Sequence, residues 1–279
     1  MARVAVVTDS TSYLPAGMAR AHGISVVPLH VVLGGRSGSE LDVAPSEVAA
    51  ALHERRVQVT TSRPTPGEFV AAYRETGVTR VVSIHLSGQL SGTADSARAA
   101  AREVADDGIE VEVVDSRTIA MGLGFAVLAA ARKAAAGAGI EVVVAAAGLV
   151  DRTTTLFYVD TLEHLRRGGR MTAASALLGT ALAVKPLLVV KDGTIGLKEK
   201  VRTFSRAFAR MQTLAGEAAG DGPVDVAVHH LEAPERARSL AEALREALPG
   251  LRSLHTSEVG AVVGAHVGPG LLGVVVCRR

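Results

Sequence analysis

The sequence predicts an α/β protein of two domains: an N-terminal parallel sheet flanked by helices and a C-terminal mixed sheet with helices, with a ligand between them. Three observations predict it. In the first half, short β-branched runs alternate with alanine-rich helical segments, the rhythm of βαβ units. After Gly148 that rhythm gives way to a hairpin signature and a different spacing of strands and helices. The chain's 279 residues, 48% of them hydrophobic and 21% charged, are enough to bury two substantial cores. The boundary is placed near Asp160, giving domains 1–160 and 161–279.

The elements follow from local chemistry. Val4–Val7, Ile24–Leu33, Val78–His85 and Val111–Val114 read as strands, each followed by polar or glycine punctuation. Helices are expected at Pro15–His22, Pro45–Arg55, Pro66–Thr76, Thr93–Val104 and Leu123–Ala136. Three of these open on proline, whose missing amide costs nothing in a first turn. Thr65-Pro66-Gly67-Glu68 reads as a capping box, in which hydroxyl and carboxylate each serve a free backbone amide. In the second half, Thr155–Val159 reads as a strand, Leu162–Arg167 as a short helix stopped by Gly168-Gly169, and Ala173–Ala183 as a buried helix. Leu187–Val190 and Ile195–Val201 flank Asp192-Gly193, which favours a type I′ hairpin turn. Strands at Val224–Val228, Arg252–Thr256 and Leu271–Val276 and helices at Phe204–Ala218 and Pro234–Leu248 complete the set.

Composition removes several function classes. The formal charge is +2, from 30 Lys and Arg against 28 Asp and Glu, and there is no Trp, so neither a basic face nor stacking platforms for nucleic acid are expected. Cys277 is the only cysteine, which excludes an intrachain disulfide and a thiolate cluster and fits a reducing cytoplasm. Val4-Ala5-Val6-Val7 is too short an apolar run for a signal-peptide core, so export is not expected. Val259–Cys277 carries no formal charge, yet it contains His266, Pro269 and several glycines. It reads as two strands, or a strand and a helix, joined at the histidine rather than as a membrane span.

Familiar catalytic signatures fail on spacing. In Gly88-Gln89-Leu90-Ser91-Gly92 the serine lies one residue too far from Gly88 for a nucleophile elbow. After Gly122-Leu123-Gly124, Val127 occupies the place of the third glycine of a dinucleotide fingerprint, and no P-loop lysine follows a glycine. His229-His230 reads as strand-end packing rather than a metal pair, and no HExxH is present. What remains is an anion site without a nucleophile. The polar turns at Thr60–Pro64, Ser87–Thr93 and Gly168–Arg170, with His266-Val267-Gly268-Pro269-Gly270, supply hydroxyls, free amides, a titratable ring and a permanent cation. Each group also has a plain structural reading: Ser91 as a helix cap, Thr61 as a turn former, Arg170 as a solvated residue at a helix end.

These segments, with Val6-Val7-Thr8-Asp9-Ser10-Thr11, Val113-Val114-Asp115-Ser116, Asp160-Thr161-Leu162, Lys185-Pro186 and Lys200-Val201-Arg202, stand in the same order as in the DegV family, which the whole chain resembles. Its characterised members are bacterial fatty-acid-binding proteins of the FakB type. The resemblance implies a long-chain fatty acid buried between the two domains, its carboxylate at Thr61 and Ser91, with Ser62 and Gly92 adjacent, His266 near the head group and Arg170 close to the mouth. It further implies no catalytic residue, no metal and no cofactor, but a carrier that presents the carboxylate to a separate ATP-dependent fatty acid kinase for acyl-phosphate formation. Arg63, where glutamine is common, and Gly88-Gln89 depart from the pattern. With almost no aromatic residues, the chain suits an aliphatic tail, and Met121–Leu128 and Ala176–Leu188 are expected to line its tunnel. The alternatives are a small-molecule hydrolase using Ser91 and His266 and a lipid-sensing regulatory protein.

Overall fold

The computed structural model describes residues 3–54, 57–171 and 185–279. β1 (Val4–Asp9) lies at the centre of a parallel sheet, between β2 (Ile24–Val27) and β6 (Arg80–His85), with β7 (Glu110–Asp115) outside β6. Parallel strands need crossovers, and these are supplied by α1 (Met18–Ala21), α3 (Pro66–Glu75) and α4 (Thr93–Val104). The predicted capping box is present: the Glu68 amide donates to Thr65 Oγ1 at 3.3 Å and the Thr65 amide to Glu68 Oε2 at 2.7 Å.

Three expectations are corrected here. Ile24–Leu33 is not one strand, because Pro28 offers no ladder donor and interrupts it. Its second half becomes β3 (His30–Leu33), which joins β4 (Arg36–Ser39) and β5 (Val59–Ser62) in a small antiparallel sheet. Thr60–Ser62 therefore lies on a strand rather than in a turn, since Val59, Thr60 and Thr61 suit the pleat and find β3 as partner. The first helix also begins at Met18 rather than Pro15.

α5 (Met121–Ala135) follows β7 and is apolar on nearly every side, with Met121, Leu123, Phe125, Val127 and Leu128 all buried. A helix patterned in this way must be enclosed. It packs between the parallel sheet and a second sheet, touching β1 and β6 on one side and β8 (Thr153–Tyr158) and β13 (Leu272–Arg278) on the other. α6 (Ile140–Ala147) packs beside it. The second sheet runs β10 (Thr194–Val201), β9 (Lys185–Lys191), β8, β13, β11 (Val224–His230), β12 (Leu251–Glu258), and only β11 with β12 is parallel. Thr153–Tyr158 precedes Asp160 in the chain yet pairs in this sheet. The β9–β10 turn has φ of 50° at Asp192 and 79° at Gly193, as a type I′ turn requires.

Strand alternation separates the cores. Phe157 and Val275 face α5, whereas Leu156, Tyr158, Val274 and Val276 face α8 (Phe204–Ala219) and α9 (Pro234–Ala247) on the far side of the mixed sheet. The expected helix at Ala173–Ala183 falls outside the described residues. Val259–Cys277 resolves into α10 (Ala261–Val267) and β13, so His266 sits in the last turn of a helix and the chain turns just after it. Among the described residues no helix is long and apolar enough to cross a membrane.

α10 is fixed at its start by a buried carboxylate. The Val262 amide donates to Glu40 Oε1 at 2.9 Å, Tyr13 Oη donates to the same oxygen at 2.8 Å, and Ser10 Oγ donates to Oε2. The Val263 amide then donates to Tyr13 Oη at 3.2 Å. Burial pushes the Glu40 carboxyl above its ordinary range. α10 also packs against α2 (Pro45–Glu54) and β5.

Candidate functional site: an apolar cavity with a polar end

A cavity opens where the parallel strands end. Leu86, Leu90, Ile119 and Ala120 come from the segments that follow β6 and β7. This is the edge at which open α/β sheets receive ligands, because the loops diverge there. The inner face of the mixed sheet contributes Phe157 and Val275, and α10 contributes Val262, Val263 and Val267. The wall is chiefly aliphatic.

Its polar end gathers residues from four parts of the chain. Thr61, Ser62 and Arg63 come from β5 and its exit, Ser91 from the turn before α4, Arg170 from the segment after α7 (Glu163–Gly168), and His266 from α10. Thr61 Oγ1 and His266 Nε2 are 2.9 Å apart. Burial, and then the Arg170 charge, push the His266 ring down to about 4, so it is neutral at pH 7. The ring lies against Gly168, where a Cβ would stand 2.5 Å from Nδ1; only glycine lets α7 end this close. Arg170 Nε donates to the Leu90 carbonyl at 3.3 Å and Nη1 donates to the Gly168 carbonyl, which aims the guanidinium across the cavity's end. Ser91 Oγ is 2.8 Å from Thr93 Oγ1.

Of the residues singled out from sequence, Thr61, Ser62, Ser91, Arg170 and His266 all line this one cavity. Gly92 does not. It is the N-cap of α4, its carbonyl accepts from Arg63 Nη1 at 3.2 Å, and a Cβ there would collide with the Arg63 guanidinium. Thr61, Arg170 and His266 also face a second depression, walled by Thr60, His164 and Arg167, and so form the partition between the cavity and the outside.

The expected tail-lining segment Met121–Leu128 is displaced: α5 is packed within the core, and its predecessors Ile119 and Ala120 reach the cavity instead. Residues 176–184 of the other segment lie outside the described residues. Sequence reasoning also missed His229 as a lining residue. The Met121 amide donates to His229 Nε2 at 3.2 Å, which leaves Nδ1–H to donate to Ser257 Oγ at 3.1 Å. Burial pushes this ring down to about 4 as well. Alternation on β11, which turns residues 227 and 229 inward, is the signal that could have found it.

Comparison with known proteins fits this geometry. A family model described as "Uncharacterised protein, DegV family" matches residues 3–279. The chain belongs to the DegV family. A DegV domain-containing protein of Streptomyces coelicolor is 56% identical over 281 residues, covering 99% of each chain. Among solved DegV structures, one from Thermus thermophilus described by its fatty acid binding superposes with a TM-score of 0.92 at 34% identity, covering 99% of this chain and 100% of that one. The Bacillus subtilis DegV, described as a fatty acid binding protein, gives 0.91 at 35% identity with both chains fully covered. The two-layer arrangement of a parallel and a mixed sheet is thus the family's own.

Proposed function

We propose that this protein is a cytoplasmic carrier that holds a long-chain fatty acid in the apolar cavity, its carboxylate at Thr61, Ser91, Arg170 and His266, and presents that carboxylate to a separate ATP-dependent fatty acid kinase that forms the acyl-phosphate. The observation that carries the reading is an aliphatic cavity closed at one end by two hydroxyls, an imidazole and a guanidinium, of which Thr61, His266 and Arg170 also face the outside. The fatty acid binding described for the T. thermophilus and B. subtilis relatives supports the same ligand class.

The energetics divide between the two ends. Each buried methylene contributes about 0.8 kcal/mol, so a long tail supplies on the order of 10 kcal/mol before association costs. A carboxylate taken from water must regain its hydrogen bonds, and the polar end offers hydroxyl and guanidinium donors for it. Affinity resides in the tail, and identity in the head. The neutral His266 can donate Nε2–H to Thr61 Oγ1, which frees the threonine proton for the carboxylate.

A serine hydrolase is not favoured. Ser91 Oγ pairs with Thr93, and His266 Nε2 with Thr61, rather than with each other. Denaturing mass spectrometry of an organic extract of the purified protein is expected to show a stoichiometric long-chain fatty acid. The kinase part is tested by adding a fatty acid kinase and ATP: acyl-phosphate should form only when all three components are present. Absence of lipid together with no uptake of added oleate sinks the carrier reading. Turnover of ATP by this protein alone sinks the non-catalytic one.

A further inference from the structure

We infer that Arg63 makes the head-group end of the cavity selective for amphiphiles whose head carries two negative charges, such as a long-chain phosphate monoester. The inference rests on the carrier reading above, since it takes the same cavity as the seat of the tail.

Two guanidiniums grip the turn that carries Ser91 from either side. Arg170 Nε donates to the carbonyl of Leu90, and Arg63 Nη1 donates to the carbonyl of Gly92. The two carbonyls flank Ser91, so both cations are held against a single residue of the cavity wall, and both line the cavity. They come from different parts of the fold, Arg63 from the exit of β5 and Arg170 from the segment after α7. Gly92 makes the second grip possible, because any Cβ there would occupy the space of the Arg63 guanidinium.

Neither arginine has a carboxylate partner among the described residues, although many other arginines of the chain do, Arg74, Arg210 and Arg279 among them. The carbonyls occupy one N–H of Arg63 and two of Arg170. A guanidinium carries five N–H donors, so most remain available at the cavity end. A fatty carboxylate brings one negative charge and two oxygens, and leaves one of the two cations uncompensated. A phosphate monoester brings close to two negative charges and three strongly accepting oxygens, and guanidinium forks match that geometry. Arg63 is the exposed member of the pair and Arg170 the half-buried one, so the second charge of the head would sit toward the mouth.

The test compares hexadecyl phosphate with hexadecanoate on delipidated full-length protein at pH 8, by displacement of a fluorescent fatty acid. Wild type is expected to bind the phosphate at least about tenfold more tightly than the carboxylate. Arg63→Gln, which removes the charge but keeps a polar side chain, is expected to bring that ratio near unity while weakening hexadecanoate by no more than about threefold. Gly92→Ala, which displaces the guanidinium without removing its charge, is expected to lower the ratio as well. Equal affinities in wild type, or a ratio that Arg63→Gln leaves in place, overturn the inference while the carrier reading stands. If hexadecanoate itself fails to displace the probe, both fall together.

Discussion

His85 and His266 both sit against hydroxyl groups, and their surroundings differ in what is left over. His85 lies in the parallel sheet with no exposed surface; its Nδ1 is 3.0 Å from Asp9 Oδ2 and its Nε2 2.7 Å from Ser83 Oγ. Asp9 also accepts from the Leu86 amide at 3.0 Å, the Thr11 amide at 3.1 Å and Thr11 Oγ1 at 2.5 Å, and Tyr73 Oη donates to Ser83 Oγ at 2.9 Å. Hydroxyl, imidazole and carboxylate stand in the order of a hydrolytic triad, yet every polar atom is occupied and no substrate can reach the serine. Among the described residues His266 has a hydroxyl partner but no carboxylate behind it. Around it the donors of Thr61, Ser91 and Arg170 outnumber the acceptors, and the surplus faces a cavity. The closed cluster holds the fold, and the open one is able to hold an anion.

Substitutions should separate the two clusters. The largest effect is expected for Asp9→Ala, which leaves the His85 ring and three donors buried without a partner: a loss of about 3–5 kcal/mol in urea unfolding. A change below about 1 kcal/mol would show that the cluster is not what holds the sheet. Next is acid. His229 and His266 have folded-state values near 4 against an ordinary value near 6.5, so the unfolded chain binds the extra protons. Stability should therefore be full above about pH 6.5 and fall as pH drops toward 4, by about 3 kcal/mol for the buried His229 alone. Unfolding midpoints measured across that range check it, and His229→Gln should flatten the curve.

Smaller effects belong to the open cluster. Thr61→Val and Ser91→Ala are each expected to weaken fatty acid retention by about 1–3 kcal/mol in a displacement assay, with unfolding stability changed by less than about 1 kcal/mol. Equal losses in binding and stability would erase the distinction between the two clusters. Smallest is Thr65→Ala, which removes half of an exposed capping box and should cost about 1 kcal/mol of stability with lipid affinity unmoved.

Much of this was legible in the residues. β-Branched runs marked most of the strands, Thr65 and Glu68 marked a helix start, and Asp192-Gly193 marked a hairpin, because each is decided within a few residues. The polar end of the cavity was legible through Thr61, Ser91, Arg170 and His266, whose types declare an anion's needs. What escaped depends on distant partners. Nothing local says that Pro28 sends the chain from one sheet to another, or that Thr60–Ser62 will find β3 and become a strand. The apolar run of Met121–Leu128 reads alike whether it lines a cavity or fills a core, and only the sheets on both sides decide. α6, rich in valine, is a helix against its own preference, held there by α5. His229 looked like packing because part of the cavity wall it joins, Leu86, Leu90, Ile119 and Ala120, lies more than a hundred positions away.

The anchoring of α10 reaches further than its seven residues. Glu40 and Tyr13 grip the amides of Val262 and Val263 and Thr61 meets the ring at the last turn, so the helix is a strut pinned at both ends. Val262, Val263 and Val267 ride on that strut and line the cavity, so on the proposed carrier reading they cannot retreat from a longer or bent chain without dragging the imidazole off its threonine. Accommodation of different lipids must then come from the opposite wall. On that reading the gauge for head position and one side of the sleeve around the tail are a single rigid part.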